Sequence, residues 1–255
     1  MKLPSSALQT AIENAYDTFA RYPRSADISG CPCCVLEEDH KALNSAPLGE
    51  LTSSDLERFV HKAMTTWGGD DDFKHFLPRI LELIATDMPL AHYSEVIAGK
   101  LVYAEWHRWP EPEQNAVAVF LNAWWQWGRW EDAAQVETCL VTLACAGWNV
   151  SRQLSEWWND DSPASRQCII AFLVRQVDVL TQGESPSAFW GEEGTQVLKT
   201  WLDDVVQVPA LLSLALEHPI DTDVYDLYTI ASLRLGSSAA DTWFEEYHDR
   251  HLTAV

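Results

Sequence analysis

The sequence predicts an all-α protein: a multi-helix bundle or irregular array of α-α hairpins, about ten helices long, with a cysteine-rich loop near its N-terminus. Three observations predict this. Apolar residues recur at 3.6-residue spacing in at least eight separate stretches. Capping residues, prolines and glycines bound most of these stretches. No stretch shows sustained period-two alternation between hairpin turns, so no sheet is expected.

Ser6 and Gln9 read as a capping box, and Leu8, Ile12, Ala15, Tyr16 and Phe19 follow at helical spacing. Pro23 stops this first helix. Residues 25–32 form a loop that ends in the cysteine cluster, and a short helix covers 36–43 before Pro47. Thr52 and Asp55 make a second box. Leu56, Phe59, Val60, Ala63, Met64 and Trp67 then give one continuous apolar face. Gly68-Gly69-Asp70 separates that helix from one carrying Phe76, Leu77, Ile80, Leu81 and Ile84. Pro78 suits a first helical turn, where its missing N–H costs nothing.

A helix over 94–106 follows, with Val96, Ile97, Leu101 and Val102 as its core face. Pro110 and Pro112 open another, bearing Val117, Phe120, Leu121, Trp124 and Trp127. The six residues Gly128-Arg129-Trp130-Glu131-Asp132-Ala133 resemble the helix-to-helix turn of tetratricopeptide repeats and imply a helical hairpin. Ser162-Pro163 starts a helix through Ile169, Ile170, Leu173 and Val177, stopped by Gly183. Further helices fall at 192–206, 209–217, 224–235 and 239–251, with Gly236 capping the third. We divide the chain into an N-terminal helical module with the cysteine cluster, residues 1–90, and a helical body, 91–255. The two are expected to form one continuous globular unit.

Charge restricts the partners. The 38 acidic and 17 basic residues give a formal net charge of −21. With no local basic patch, nucleic acid is not an expected partner, and anionic membranes are repelled. No run of 18 apolar residues spans a membrane, and Met1-Lys2-Leu3-Pro4-Ser5 lacks a signal-peptide core. A cytoplasmic, reducing setting is expected, with Cys139, Cys145 and Cys168 as buried thiols in apolar helices.

The acids are unevenly placed. Residues 181–255 hold 13 acids and 3 bases, a formal −10. Glu192, Glu193, Asp221, Asp223, Asp226, Glu245 and Glu246 would steer a cationic protein partner; simple helix capping is the plainer account of them. The 13 tryptophans exceed ordinary usage. Most are expected in cores, but Trp125 and one of Trp157 and Trp158 are expected to face outward, with Trp125 and Trp158 as partner anchors.

Cys31, Cys33 and Cys34 carry the one candidate site. Cys31 and Cys34 have the C-x-x-C spacing that lets two thiolates reach one structural zinc, and Cys33 is able to replace either. His75 is the preferred distant ligand and His40 the local alternative. The competing account is a set of reduced thiols packed in a loop, with His75 hydrogen-bonded in the core. A thioredoxin-type role lacks its βαβ pattern. Asp70-Asp71-Asp72, Asp160-Asp161 and Asp203-Asp204 would suit magnesium, but they sit at helix ends, where Asp is a common cap. No phosphate-binding loop, H-E-x-x-H, G-x-S-x-G or G-x-G-x-x-G occurs.

Residues 31–79 resemble a bacterial family of largely uncharacterised all-helical proteins. The resemblance rests on the C-x-C-C cluster, Pro47-Leu48-Gly49-Glu50-Leu51, Trp67-Gly68 and Asp72-Phe73-Lys74-His75-Phe76-Leu77-Pro78-Arg79. It implies a helical fold and sets Cys31, Cys33, Cys34 and His75 apart from the other cysteines and histidines. The function expected is a non-enzymatic binding protein that neutralises a cationic protein, such as a cognate toxin, as immunity proteins do. The alternatives are a metal-dependent or thiol-based enzyme and a helical scaffold.

Overall fold

Capping chemistry sets the helix boundaries. The computed structural model describes residues 3–25, 28–128, 133–175, 190–204, 208–217 and 224–251. Among these lie fourteen α helices and no strand, which makes the chain all-α. They divide into two compact units: Met1–Trp127 with Cys145–Gly147, and Gly128–Ala144 with Trp148–Val255. The division therefore falls at Gly128, not near residue 90.

In the first unit α1 (Ser6–Phe19) starts one residue earlier than the sequence suggested, because the Ser5 side chain accepts the Leu8 N–H at 3.3 Å. It buries Leu8, Ala11, Ile12, Ala15 and Phe19. After the cysteine loop come α2 (Glu37–Leu43) and a 3-10 turn, Leu48–Glu50. The Thr52–Asp55 box opens α3 (Ser53–Lys62) as expected, through Thr52 N to Asp55 Oδ2 at 2.8 Å and Asp55 N to Thr52 Oγ1 at 3.3 Å.

Helix α3 stops at Lys62, five residues short of the expected face. Met64 turns into the left-handed region at φ 62°, and Trp67 returns to pack edge-on against Phe59, ring centroids 5.5 Å apart. Trp67 thus keeps its helical-phase partner without being helical.

Helix α4 (Asp70–Thr86) begins at the Gly69 cap, where Asp72 Oδ2 accepts the Gly69 N–H at 2.9 Å. Pro78 accordingly sits deep inside the helix, not in its first turn. It leaves the Lys74 carbonyl without its usual donor. Ten residues of α4 are buried, Pro78 among them, and that packing holds the helix through the break. Helix α4 packs on α1 and on the short α5 (Met88–Ala91). Helix α6 (Ser94–Tyr103) packs on α3, and a 3-10 turn, Trp106–Arg108, leads into α7 (Glu111–Gly128). Along the last turns of α7, residues 121, 123, 124, 125, 127 and 128 are all buried and only Asn122 is exposed. The outward stripe of α7 runs through Asn115, Val119, Asn122 and the half-buried Gln126, and Trp125 lies off that stripe.

The second unit contains α8 (Ala133–Cys145) except for its last residue, α9 (Ser151–Trp158), α10 (Pro163–Arg175), α11 (Gly191–Asp204), α12 (Val208–Glu217), α13 (Val224–Leu235) and α14 (Ser237–His251). Helix α9, which periodicity did not reveal, packs on α10 and α11. Helices α12, α13 and α14 pack on one another, and the Trp243 indole N–H donates to the Leu212 carbonyl at 3.0 Å. Gly236, at φ 92°, is the turn between α13 and α14, as a C-terminal cap requires. The expected hairpin turn over 129–132 lies outside the described residues. No helix among the described residues is long and apolar enough to cross a membrane.

Candidate metal centre and partner surface

The cysteine loop is built by backbone bonds to the end of the α3 turn. Cys31 N donates to Thr66 O at 2.8 Å and Gly68 N to Ser29 O at 2.7 Å. The loop then closes on itself: Cys34 N and Val35 N both donate to Cys31 O at 2.9 Å. Arg58, from α3, clamps it to α2. Its guanidinium reaches Cys34 O at 3.3 Å and Asp39 at 3.0 and 3.1 Å, while Asp39 accepts the Leu36 N–H at 2.9 Å.

This wiring gathers three thiols. Cys33 Sγ lies 2.9 Å from Cys31 Sγ and 3.6 Å from Cys34 Sγ, and all three sulfurs fall within 4.8 Å of one another. Thiolates 2.3 Å from a tetrahedral zinc sit about 3.8 Å apart, so the spacing fits one metal ion with little movement. Cys33 is exposed and the other two are half-buried. Hydrogen bonds from the Cys33 thiol and then the Cys33 amide pull the Cys31 thiol below its ordinary value, with Cys34 helping. Its hydrogen bonds to Cys31 and then to Cys34 push the Cys33 thiol up to about 11, and the charge of those neighbours adds to the shift. A cation at the centre would reverse that penalty.

His75 is not brought into the cluster. Its Nδ1 lies 2.9 Å from the Tyr22 carbonyl, and its ring packs edge-on to Phe76 at 4.8 Å. Because α4 begins at Asp70, His75 lies on the side of the helix that meets the end of α1. It joins those two helices, and no hydrogen bond links it to a cysteine among the described residues. His40 stands in α2, its ring edge-on to Trp67 at 5.2 Å. Two of the acidic runs supply caps and pairs: Asp72 caps α4, Asp160 Oδ1 accepts the Ser162 N–H at 3.0 Å, and Asp161 pairs with Arg166.

The expected partner residues have mixed fates. Glu192, Glu193, Glu245 and Glu246 are exposed and Asp226 is half-exposed; Asp221 and Asp223 lie outside the described residues. Glu246 is already paired with Arg250. Trp125 is fully buried, so it is no surface anchor. Trp158 is half-buried, edge-on to Trp201 at 6.1 Å.

Two constellations escaped the sequence reading. On α13 and α14, Tyr225 and Tyr228 each pack 5.5 Å from Phe244, and Tyr225 is 64% exposed. The other is a buried ion pair in the first unit. Lys74 Nζ lies 2.8 Å from Glu113 Oε2 and 4.3 Å above the Trp109 ring, and the Tyr22 hydroxyl donates to Glu113 Oε1 at 2.7 Å. Lys74 and Glu113 stand 39 residues apart, and no local pattern marks them.

Fold and site together define an all-α protein with a surface thiol cluster able to hold a metal ion. No family model, curated protein or solved structure matches the chain.

Proposed function

We propose that this chain is a non-enzymatic binding protein that neutralises a cationic protein partner, in the manner of an immunity protein or antitoxin. We propose too that a structural zinc ion on Cys31, Cys33 and Cys34 staples its N-terminal loop. The observation that carries the binding reading is the α13–α14 surface, where the Tyr225, Tyr228 and Phe244 rings stand with Asp226, Asp241 and Glu245 on the same two helices. Tyr225 is exposed, with Tyr228 and Phe244 half-buried behind it; such an aromatic supplies contact area at low entropy cost, and carboxylates on the same helices favour a basic partner. Tyr225 and Phe244 replace Trp125 as the anchors in this reading. A reducing cytoplasm would keep the thiols available to the metal.

The test is kinetic. The tagged chain is purified from its source cells and a stoichiometric partner identified. Association is then measured at low and high salt for the wild type and for a set carrying Glu192→Lys, Glu193→Lys, Asp226→Lys and Glu245→Lys. The reading expects association to slow at low salt and to lose its salt dependence, while Tyr225→Ala speeds dissociation. Rates indifferent to both changes would remove this surface from the function.

A further inference from the structure

The three thiols leave one corner of a tetrahedron to fill, because a structural zinc site is almost always four-coordinate. Among the described residues, no fourth cysteine, histidine or carboxylate joins the cluster. We infer that His40 is the fourth ligand, closing a Cys3His site. This inference rests on the zinc reading above and names the donor that reading lacks.

Four observations converge on His40. It lies in α2, which begins three residues after Cys34, and the Arg58 clamp on Cys34 O and Asp39 fixes that helix to the loop. Side chains on a helix lean toward its N-terminus. His40 stands one turn, about 5.4 Å, beyond the Leu36 cap, so its Cα–Cβ bond tilts toward the end of α2 that the cysteine loop joins. The ring packs on Trp67, and Trp67 is itself part of the loop's frame: it bridges Gly30, where an added Cβ would meet its indole Cδ1 at 3.3 Å. Finally, no hydrogen bond engages either ring nitrogen of His40 among the described residues, although the residue is half-buried. His75, by contrast, already spends Nδ1 on the Tyr22 carbonyl. His61, the other histidine on the neighbouring α3, packs its ring on Tyr93 at 4.6 Å. Binding needs the His40 side chain to rotate toward the sulfurs, with loss of part of its contact with Trp67.

Cobalt substitution reads the ligand set directly. The purified full-length chain, stripped of metal and titrated with cobalt(II), should give the intense visible bands of a tetrahedral three-sulfur, one-nitrogen site. X-ray absorption of the zinc form should show three sulfurs at about 2.3 Å and one nitrogen at about 2.0–2.1 Å. His40→Ala should weaken zinc retention against a chelator by more than the roughly 10- to 100-fold that loss of an outer-shell partner costs. His40→Cys should keep the metal and shift the cobalt bands to those of a four-sulfur site, a gain that misfolding does not produce. His75→Ala should leave the bands in place. A wild type that binds neither metal would overturn the zinc reading and this inference together. A wild type with tetrahedral cobalt bands that His40→Ala and His40→Cys leave unchanged would overturn His40 alone.

Discussion

The loop at Cys31–Cys34 and helix α8 hold cysteines in opposite situations. Cys139, inside α8, is fully buried, and burial pushes its thiol up to about 12. It does there what a small apolar side chain does: it fills space. The loop cysteines fill little. Cys33 is exposed, its partners are only half-buried, and the three sulfurs face one another rather than a core. Packing describes Cys139 better than it describes the exposed Cys33. The difference is that backbone bonds gather the loop thiols beside one another at the surface, an arrangement able to hold a metal ion.

The largest expected effect marks the buried extreme of this contrast. Lys74→Met would leave Glu113, which has no exposed surface, with only the longer 3.6 Å pair to the largely exposed Arg21 and the Tyr22 hydroxyl. Breaking a buried pair from one side costs about 3–5 kcal/mol. Chemical denaturation should register that loss, with the metal content unchanged. A loss below about 1 kcal/mol would mean that the pair is effectively solvated and the burial contrast weaker than drawn.

Next comes the packing around Cys139. A Cβ at Gly128 would lie 2.7 Å from Cys139 Sγ, whereas a Cβ at Gly49 meets nothing within 4 Å. Gly128→Ala should therefore destabilise by about 1–3 kcal/mol, and Gly49→Ala should stay within about 0.5 kcal/mol of the wild type. Equal melting of the two variants would show that Cys139 is not tightly packed.

The smallest effect is on reactivity and its pH dependence. With no metal bound, an alkylating reagent should modify the loop thiols well before Cys139, and zinc should protect them. Zinc affinity should rise with pH between 6 and 8. The Cys33 thiol is pushed up to about 11, so it is protonated across that range, and binding must expel its proton. Affinity flat across that window would mean that Cys33 is not a ligand.

What the sequence disclosed follows the range of the interactions. Caps act within three or four residues, so the Thr52–Asp55 box was legible and the start of α1 was missed by one residue. The α3 face ran on to Trp67 in the sequence because Trp67 does reach Phe59, though through a turn. Pro78 pointed to a helix start because local rules count its missing N–H and not the buried packing of α4. The cysteine cluster was legible because its members are neighbours. His75 was misplaced because its direction depends on where α4 begins and on the Tyr22 carbonyl 53 residues away. Trp125 and the Lys74–Glu113 pair failed for the same reason: three-dimensional packing decided them.

Metal content tests the central claim most directly. The full-length chain, purified without chelator, should carry close to one equivalent of zinc, and the Cys31→Ser/Cys34→Ser double variant should lose it and melt several degrees lower, at about 2–4 °C for each kcal/mol of stability lost. A metal-free wild type as stable as the zinc-loaded one, with the double variant melting at the same temperature, would contradict the account.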